Sequence, residues 1–175
     1  VAADAACKAA SVELMGWESI GGFTTVFVRG TLGDVEMALR DGEAAARAVT
    51  GHVVVAALEQ PQPEVGVFVD NHVPEGQVAP TALGIVETRG YGRHVDVNDA
   101  MVKAADVQVA NVLTVHNRVV CTLITGAVDD VQQAVVTAKD RLTDSEWFMA
   151  ATVLSQPLPE VLRAFTLFQP SGGAS

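Results

Sequence analysis

The sequence is poor in aromatic and charged side chains. Of its 175 residues, 5% are aromatic and 18% are charged, and 11 basic residues stand against 21 acidic ones. The resulting formal charge of −10 argues against nucleic acid or an anionic membrane as a partner, because both require basic patches. The chain also lacks an apolar run of about 18 residues, which a transmembrane helix requires. We therefore expect a soluble, cytoplasmic protein that binds neither nucleic acid nor membranes.

Cysteine and histidine are too few and too scattered to form a reactive site. The two cysteines, Cys7 and Cys121, suit a reducing compartment better than a disulfide framework, and both are interpreted as structural. The four histidines have no cysteine or carboxylate at the spacing of metal ligands. The pair His116 and Cys121 would point to opposite faces of a strand, since they are five residues apart. The sequence therefore predicts no catalytic residue, no metal and no cofactor.

What the chain does contain is a long internal repeat. Asp4 and Lys8 return as Asp99 and Lys103, 95 residues later, and the segment 60–65 returns 96 residues later as 156–161. A repeat of this length is a whole domain, whereas solenoid units have about 20–50 residues. The chain is thus two fused copies of one small fold, an arrangement that usually reproduces a symmetric assembly from fewer chains.

The second copy shows the order of its elements most clearly. Segments rich in β-branched residues predict strands, and a helix is predicted where acidic residues at the start and basic residues at the end suit the helix dipole. In order, these are a strand at 82–88, a helix at 97–105, strands at 107–113 and 119–125, a helix at 129–141 and a strand at 147–154. This β-α-β-β-α-β order predicts a ferredoxin-like domain of the α+β class.

The first copy repeats this order from its first helix onward. The predicted elements are a helix at 2–10, strands at 12–18 and 23–29, a helix at 34–48 and a strand at 52–59. The counterpart of the strand at 82–88 would precede Val1. A sheet without that strand would have an open edge, which proteins normally cover, so we expect that upstream residues were removed, disordered or omitted.

The domain boundaries follow from the repeat. We place the first domain at 1–65, a linker at 66–80, the second domain at 81–165 and a mobile, polar tail at 166–175. Domains of roughly 80 residues are small, and 49% of the residues are hydrophobic. We therefore expect further burial between the copies or between subunits.

Several motifs, in order, resemble the shell-protein domain of bacterial microcompartments. They are ALGIVETRG at 82–90 and NDAMVKAA at 98–105 in the second copy, and SIGGF at 19–23 and VFVRG at 26–30 in the first. With two such domains, the chain is similar to the tandem-domain subclass. The resemblance implies a homotrimer shaped like a hexamer, which tiles with other shell proteins into the facets of a protein-walled organelle.

The resemblance also implies that the loops between the second and third strands surround a central pore. In the first copy this loop is Ile20, Gly21, Gly22 and Phe23, and glycine allows positive φ and close approach to a symmetry axis. In the second copy His116, Asn117 and Arg118 replace the glycines. Rings of arginine favour anions, so we expect a pore for small, anionic metabolites.

The remaining expectations concern the edges of the assembly. Lys8 and Lys103 occupy the positions where family members carry a lysine between neighbouring assemblies. Gln60 and Gln156 stand where the family often has arginine before proline, so the tiling contact is predicted to be modified.

Two other functions remain open at this stage. One is a soluble, trimeric, small-ligand-binding regulatory protein, since ferredoxin-like trimers also bind effectors between subunits. The weaker one is a hydrolase that uses His116. The glycine-containing segment 90–94 resembles a phosphate-binding turn but lacks a third glycine, and is interpreted as a connection between a strand and a helix.

Overall fold

The second domain is organised around one central strand, β3 (Ala82–Arg89). A computed structural model describes residues 1–20, 22–69, 80–115, 119–143 and 146–166 of the chain. In it, β3 pairs antiparallel with β5 (Val119–Gly126) on one side and with β6 (Phe148–Ser155) on the other. Strand β4 (Val107–Val115) pairs with β5, which gives the order β4-β5-β3-β6. This is the predicted ferredoxin-like sheet.

Helices cover both faces of this sheet. Helices α4 (Tyr91–Ala104) and α5 (Val128–Arg141) pack on one face, where the fully buried residues include Val86, Val97, Ile124 and Val131. On the opposite face Leu83 and Leu123 pack against α6 (Pro159–Phe165), a helix that the sequence did not predict. The central strand is therefore buried on both faces, which explains its nearly continuous apolar sequence.

Helix α4 begins earlier than predicted, at Tyr91 rather than at 97. The connection from β3 is the single residue Gly90, whose φ of 80° favours glycine. A Cβ atom at Gly90 would also lie 3.0 Å from the Trp147 ring. The interpretation of 90–94 as a connecting loop is therefore wrong beyond Gly90, because Tyr91, His94 and the residues between them form the first turn of α4.

The first domain has the predicted elements up to its second helix. They are α1 (Ala2–Ala9), β1 (Glu13–Ile20), β2 (Phe23–Arg29) and α2 (Leu32–Arg47), with β1 and β2 paired antiparallel. Strand β1 carries a bulge between Leu14 and Gly16, and β4 carries one at the same repeat position. The repeat in the sequence is thus reproduced in the details of the backbone.

The strand predicted at 52–59 is wrong. These residues have no regular secondary structure, and Val54 and Val55 are 43% and 38% exposed. Their counterpart in the second domain, β6, forms its ladder with β3. The described part of the first domain contains no strand at the position of β3, so the backbone of 52–59 has no partner with which to form a ladder.

Side chains on β1 are more exposed than their counterparts in the second domain. Leu14 on β1 is 49% exposed, whereas Val109, at the same repeat position on β4, is 1% exposed. Trp17 is 67% exposed. Helices α1 and α2 nevertheless pack closely, because Gly42 would place a Cβ atom only 3.3 Å from Ala6 Cβ.

A 3-10 turn (Pro63–Val65) and a short helix, α3 (Gly66–Val69), follow the first domain. Helix α3 lies within the predicted linker, and its Phe68 is 4% exposed. The start of that linker is therefore structured and packed. The rest of it up to 79, and the tail from 167, lie outside the described residues.

Two glycine-to-alanine substitutions test the packing of the central strand. A Cβ atom at Gly84 on β3 would lie 2.7 Å from Ile124 and 2.8 Å from Val131, so Gly84→Ala should destabilise the protein by about 1–3 kcal/mol. Gly33 in α2 has no atom within 4 Å of its Cβ position, so Gly33→Ala should be neutral or stabilising by up to about 1 kcal/mol. Urea denaturation measures both. Equal effects of the two substitutions would contradict this packing.

Candidate functional site

The two domains meet along a surface that we call the domain seam, formed by β2, the 3-10 turn and α3 on one side and by α4 and Trp147 on the other. Its centre is aromatic. The Tyr91 ring contacts Phe27 and Phe68 edge to face, with centroids 5.9 Å and 5.8 Å apart. Phe23 meets Trp147 in the same manner at 5.6 Å. Edge-to-face contacts of this kind add stability beyond area burial.

Tyr91 also forms a polar contact across the domain seam. Its hydroxyl donates a hydrogen bond to the backbone carbonyl oxygen of Phe68, 3.2 Å away. Burial, and then the negative charge of Glu18, raise the pKa of Tyr91 to about 12. The tyrosine therefore stays a neutral donor under all ordinary conditions.

At one end of the domain seam, a short backbone segment is held by a charged pair on α4. We call residues 59–62 the first hook. The ammonium of Lys103 donates to the Glu59 carbonyl oxygen at 2.8 Å and to Asp99 Oδ2 at 2.6 Å. The backbone N–H of Gln62 donates to Asp99 Oδ1 at 3.1 Å. Asp99 is nearly buried, with a side chain 7% exposed, so these bonds compensate its desolvation.

The hook has an unusual backbone. Gln60 has a φ of 49°, in the left-handed region that residues other than glycine seldom adopt. The next residue is a proline, and another proline begins the 3-10 turn that leads to α3. This conformation turns the chain so that both Glu59 and Gln62 face the Asp99–Lys103 pair.

The other predicted edge residues lie apart from this cluster. Lys8 forms the same pair with Asp4 on α1, at 2.7 Å, but the two side chains are 75% and 67% exposed. Gln156 has a φ of 50°, almost identical to that of Gln60. The structure thus brings Lys103 together with the Gln60 segment, and leaves Lys8 and Gln156 exposed. Their role at the edges of an assembly stays a prediction.

The predicted pore loops are described only in part. In the first copy β1 ends at Ile20 and β2 begins at Phe23, and Gly22 has the expected positive φ, 86°. The ring of Phe23 is half-buried against Trp147. The other predicted pore residues, Gly21, His116, Asn117 and Arg118, and the side chain of Ile20 lie outside the described residues. The pore therefore stays a prediction.

A buried histidine is the polar centre of the second domain, and the sequence analysis missed it. His94 Nδ1 lies 2.7 Å from the Thr88 hydroxyl, and Nε2 shares a hydrogen bond with the Thr122 hydroxyl. Asn98 Nδ2 donates to the His94 carbonyl oxygen at 2.7 Å. Threonines on the inward face of two predicted strands were the signal that such a partner would be needed, since buried hydroxyls are normally hydrogen-bonded.

The environment of His94 keeps the ring neutral. It is fully buried, and desolvation lowers its pKa from 6.5 to about 3. Cys121 is also buried, and burial together with Glu87 raises the pKa of its thiol to about 11. Both groups are thus poorly suited to acid-base or nucleophilic chemistry near neutral pH.

Two further features were sought within the described residues: metal-ligand groups and membrane-spanning helices. No group of three or more His, Cys, Asp or Glu side chains could hold a metal ion there. The helices of that part are all too short or too polar to cross a bilayer.

Comparison with known sequences identifies the fold. Residues 1–63 and 82–157 each match the BMC domain. The chain belongs to the BMC-domain family. The resemblance to microcompartment shell proteins is confirmed, and the tandem arrangement follows from the two matched regions.

Curated relatives with BMC domains are carboxysome and microcompartment proteins. The carboxysome assembly protein CcmO of Synechocystis sp. is 31% identical over 144 residues, which is 76% of this chain and 48% of that protein. CcmO of Synechococcus elongatus is 28% identical over 91% of this chain and 61% of its own length. The shell protein PduA of Citrobacter freundii is 46% identical over 65 residues, 37% of this chain and 70% of PduA. The chain spans about half to three fifths of the length of the CcmO proteins.

Solved structures share the fold. A microcompartment protein from Desulfitobacterium hafniense superposes with a TM-score of 0.73 at 22% identity, covering 93% of this chain and 89% of that one. A fused, permuted hexameric shell protein of the RMM microcompartment gives 0.58 at 21% identity, covering 82% and 74%. At this identity the likeness supports the tandem BMC architecture and nothing finer.

Replacement of His94 tests the buried network. At pH 7, His94→Asn should lower the free energy of unfolding by about 1–3 kcal/mol, because the hydroxyls of Thr88 and Thr122 lose partners. A histidine whose folded pKa lies below its unfolded value destabilises the fold as pH falls below 6.5, since the unfolded chain binds the proton first. The difference between wild type and variant should therefore shrink from pH 6.5 toward pH 4.

Urea denaturation at each pH measures this difference. The exposed His52→Asn variant is the matched control and should follow the wild-type curve. A wild-type to His94→Asn difference that stays constant with pH would contradict a neutral, buried histidine.

Proposed function

We propose that the protein is a non-catalytic structural component of a bacterial microcompartment shell. Three chains, each with two BMC domains, form a trimer shaped like a hexamer, and these trimers tile with other shell proteins into facets. The observation that carries the proposal is the pair of BMC domains joined by the domain seam. A chain that already holds two domains side by side supplies one third of a six-domain ring.

The composition of the surface supports assembly. The described residues include large apolar side chains that are exposed in the single chain, among them Trp17 at 67%, Leu158 at 66% and Phe165 at 49% exposure. Contacts between chains would bury such side chains. The names of the relatives, a carboxysome assembly protein and a microcompartment shell protein, agree with a role in a shell.

The position of the predicted edge residues also supports tiling. Lys103 is 35% exposed although it bonds to Glu59, so part of its side chain remains available at the outside of the domain seam. Gln60 in the first hook and Gln156 at the equivalent position of the repeat are both exposed. A contact between neighbouring trimers at these positions would place uncharged glutamines, rather than arginines, against the lysines.

Mass measurement and microscopy of the assembled protein test the proposal. Light scattering at micromolar concentration should give about three times the 18.3 kDa mass of one chain, or six times if two trimers stack. Concentrated protein should form flat sheets or tubes under negative stain. Discrete trimers that change state with an added nucleotide would instead support the regulatory alternative, and a stable monomer would exclude a trimeric shell protein.

A pair of substitutions at Gln60 and Gln156 separates tiling from trimer formation. Gln60→Glu with Gln156→Glu adds six negative charges to each trimer at the proposed edges, and like charges across an interface penalise assembly. Sheets should be lost and the trimer kept. Val136→Gln on the exposed face of α5 is the control. Sheets that form as readily as in the wild type would contradict the edge assignment.

The proposed trimer has a central pore that conducts small anionic metabolites. Three Arg118 and three His116 side chains around an axis would form a positive ring on an otherwise acidic body, which favours anionic metabolites. Arg118→Ala with His116→Ala should reduce anion flux through reconstituted shells and leave assembly unchanged. Flux of a neutral solute of similar size is the control. Unaltered anion flux in the double variant would refute the anionic pore and leave the shell assignment intact.

A further inference from the structure

Two arginines on neighbouring helices of the second domain share one buried carboxylate. Arg141, at the end of α5, donates from Nε to Asp96 Oδ2 at 3.2 Å and from Nη2 to Asp96 Oδ1 at 2.6 Å. Arg93, in the first turn of α4, places Nη1 3.9 Å from the same Asp96 Oδ2. We propose that Arg93 and Arg141 form a binding site for the phosphate group of a small anionic metabolite.

Asp96 holds the Arg141 guanidinium in one orientation. The Asp96 side chain is 6% exposed and accepts from two nitrogens on one edge of the guanidinium. Such paired, charge-assisted bonds fix geometry as well as adding energy. No other described residue accepts a hydrogen bond from Arg141, and its side chain is 50% exposed. Its remaining N–H groups can therefore donate to an anion that arrives from solvent.

Arg93 is the arginine that its own chain leaves unsatisfied. Its approach of 3.9 Å to Asp96 is too long for a hydrogen bond. Its Nε is buried and has no hydrogen-bond partner among the residues that the structure describes. Buried donors are normally paired, so this guanidinium is available for an acceptor from outside the chain. Its side chain is 37% exposed, so a small ion can reach it.

The cluster keeps a positive charge on an acidic protein. Its two guanidiniums share one carboxylate, whereas the chain as a whole carries a formal charge of −10. Asp99, whose charge also acts on Arg141, is paired with Lys103. Lys139 and Asp140, exposed beside Arg141 in the last turn of α5, offset each other. The excess positive charge of the cluster is therefore available to an anion.

The arrangement favours a tetrahedral oxyanion over a planar carboxylate. A carboxylate binds well to one edge of a single guanidinium, and one edge of Arg141 is already occupied by Asp96. Arg93 and Arg141 lie on different helices and would approach a ligand from different directions. A phosphate group presents oxygens in several directions, so it can accept hydrogen bonds from both arginines.

The site lies at the end of the sheet where β5 begins. Arg89, the last residue of β3, pairs with Val119, and the predicted pore residues 116–118 directly precede Val119 in the chain. The first copy has Ala45 at the repeat position of Arg141, so each chain has one such site. The inference goes beyond the proposed shell role, because the site is complete within one chain and requires neither the trimer nor the pore.

Titration calorimetry of the full chain with inorganic phosphate tests the site. At low ionic strength, the wild type should bind one phosphate per chain. Arg93→Gln should weaken binding by at least about tenfold, because a charge-assisted hydrogen bond to the phosphate is lost. Its melting temperature should not fall, since Arg93 donates to no described residue. Arg163→Gln removes the same charge from an exposed arginine on α6 and should leave binding unaltered.

Two further titrations test the geometry and the ligand class. Arg141→Lys keeps the charge but loses the planar fork, so it should also weaken phosphate binding by at least about tenfold, because a lysine cannot hold Asp96 and the ligand with two edges. Acetate should bind to the wild type less tightly than phosphate does.

The outcomes separate this inference from the proposed function. A wild type that binds no phosphate, or equal weakening by Arg93→Gln and Arg163→Gln, overturns the site and leaves the shell proposal standing. Acetate that binds as tightly as phosphate overturns the ligand class. A monomeric wild type whose phosphate binding is lost in Arg93→Gln and Arg141→Lys, and kept in Arg163→Gln, establishes the site and overturns the trimeric shell protein.

Discussion

The pairing of β3 with a strand on each side is the constraint on which the fold depends. In the second domain β3 bonds to β5 and to β6, and the two faces of the sheet are then closed by helices. A strand can exist only where a neighbour accepts its backbone bonds. In the described part of the first domain, residues 52–59 stand at the repeat position of β6 and have no strand beside them. They remain irregular, and Leu14 and Trp17 stay exposed.

The contacts at the domain seam join the two domains. The first domain presents Phe27 and Phe68 to Tyr91 of the second domain, and its hook to Asp99 and Lys103. Part of what stabilises the first domain is therefore the other domain. Contacts of this kind between repeats agree with the proposed ring of six domains.

Much of the fold could be predicted because local patterns and tertiary structure agreed. Strand β2 was predicted at its observed bounds, 23–29, and α1 within one residue, since their periodicity and β-branched content matched their environment. The failure at 52–59 has a different origin. Val53, Val54 and Val55 have a strand sequence, and what decides the outcome is a partner strand that lies far away in the sequence.

The remaining errors came from local signals that tertiary contacts override. Gly92 made the segment 90–94 resemble a loop, yet the burial of Tyr91 and His94 holds it in α4. The hook was visible only as a repeated Gln-Pro motif, because the left-handed φ of Gln60 and Gln156 cannot be deduced from residue types that rarely adopt it. Of the candidate site, Gln60 and Lys103 were thus predicted as functional residues without their contacts, and Tyr91 and His94 were not predicted.

A reconstruction of the assembled protein by electron cryomicroscopy, at a resolution that shows side chains, tests the central claim most directly. The account predicts a ring of six BMC domains from three chains, in which each chain keeps the hydrogen bond from its Lys103 ammonium to the Glu59 carbonyl oxygen, 2.8 Å long, at its domain seam. A monomeric chain, or a ring with another number of domains, would contradict it.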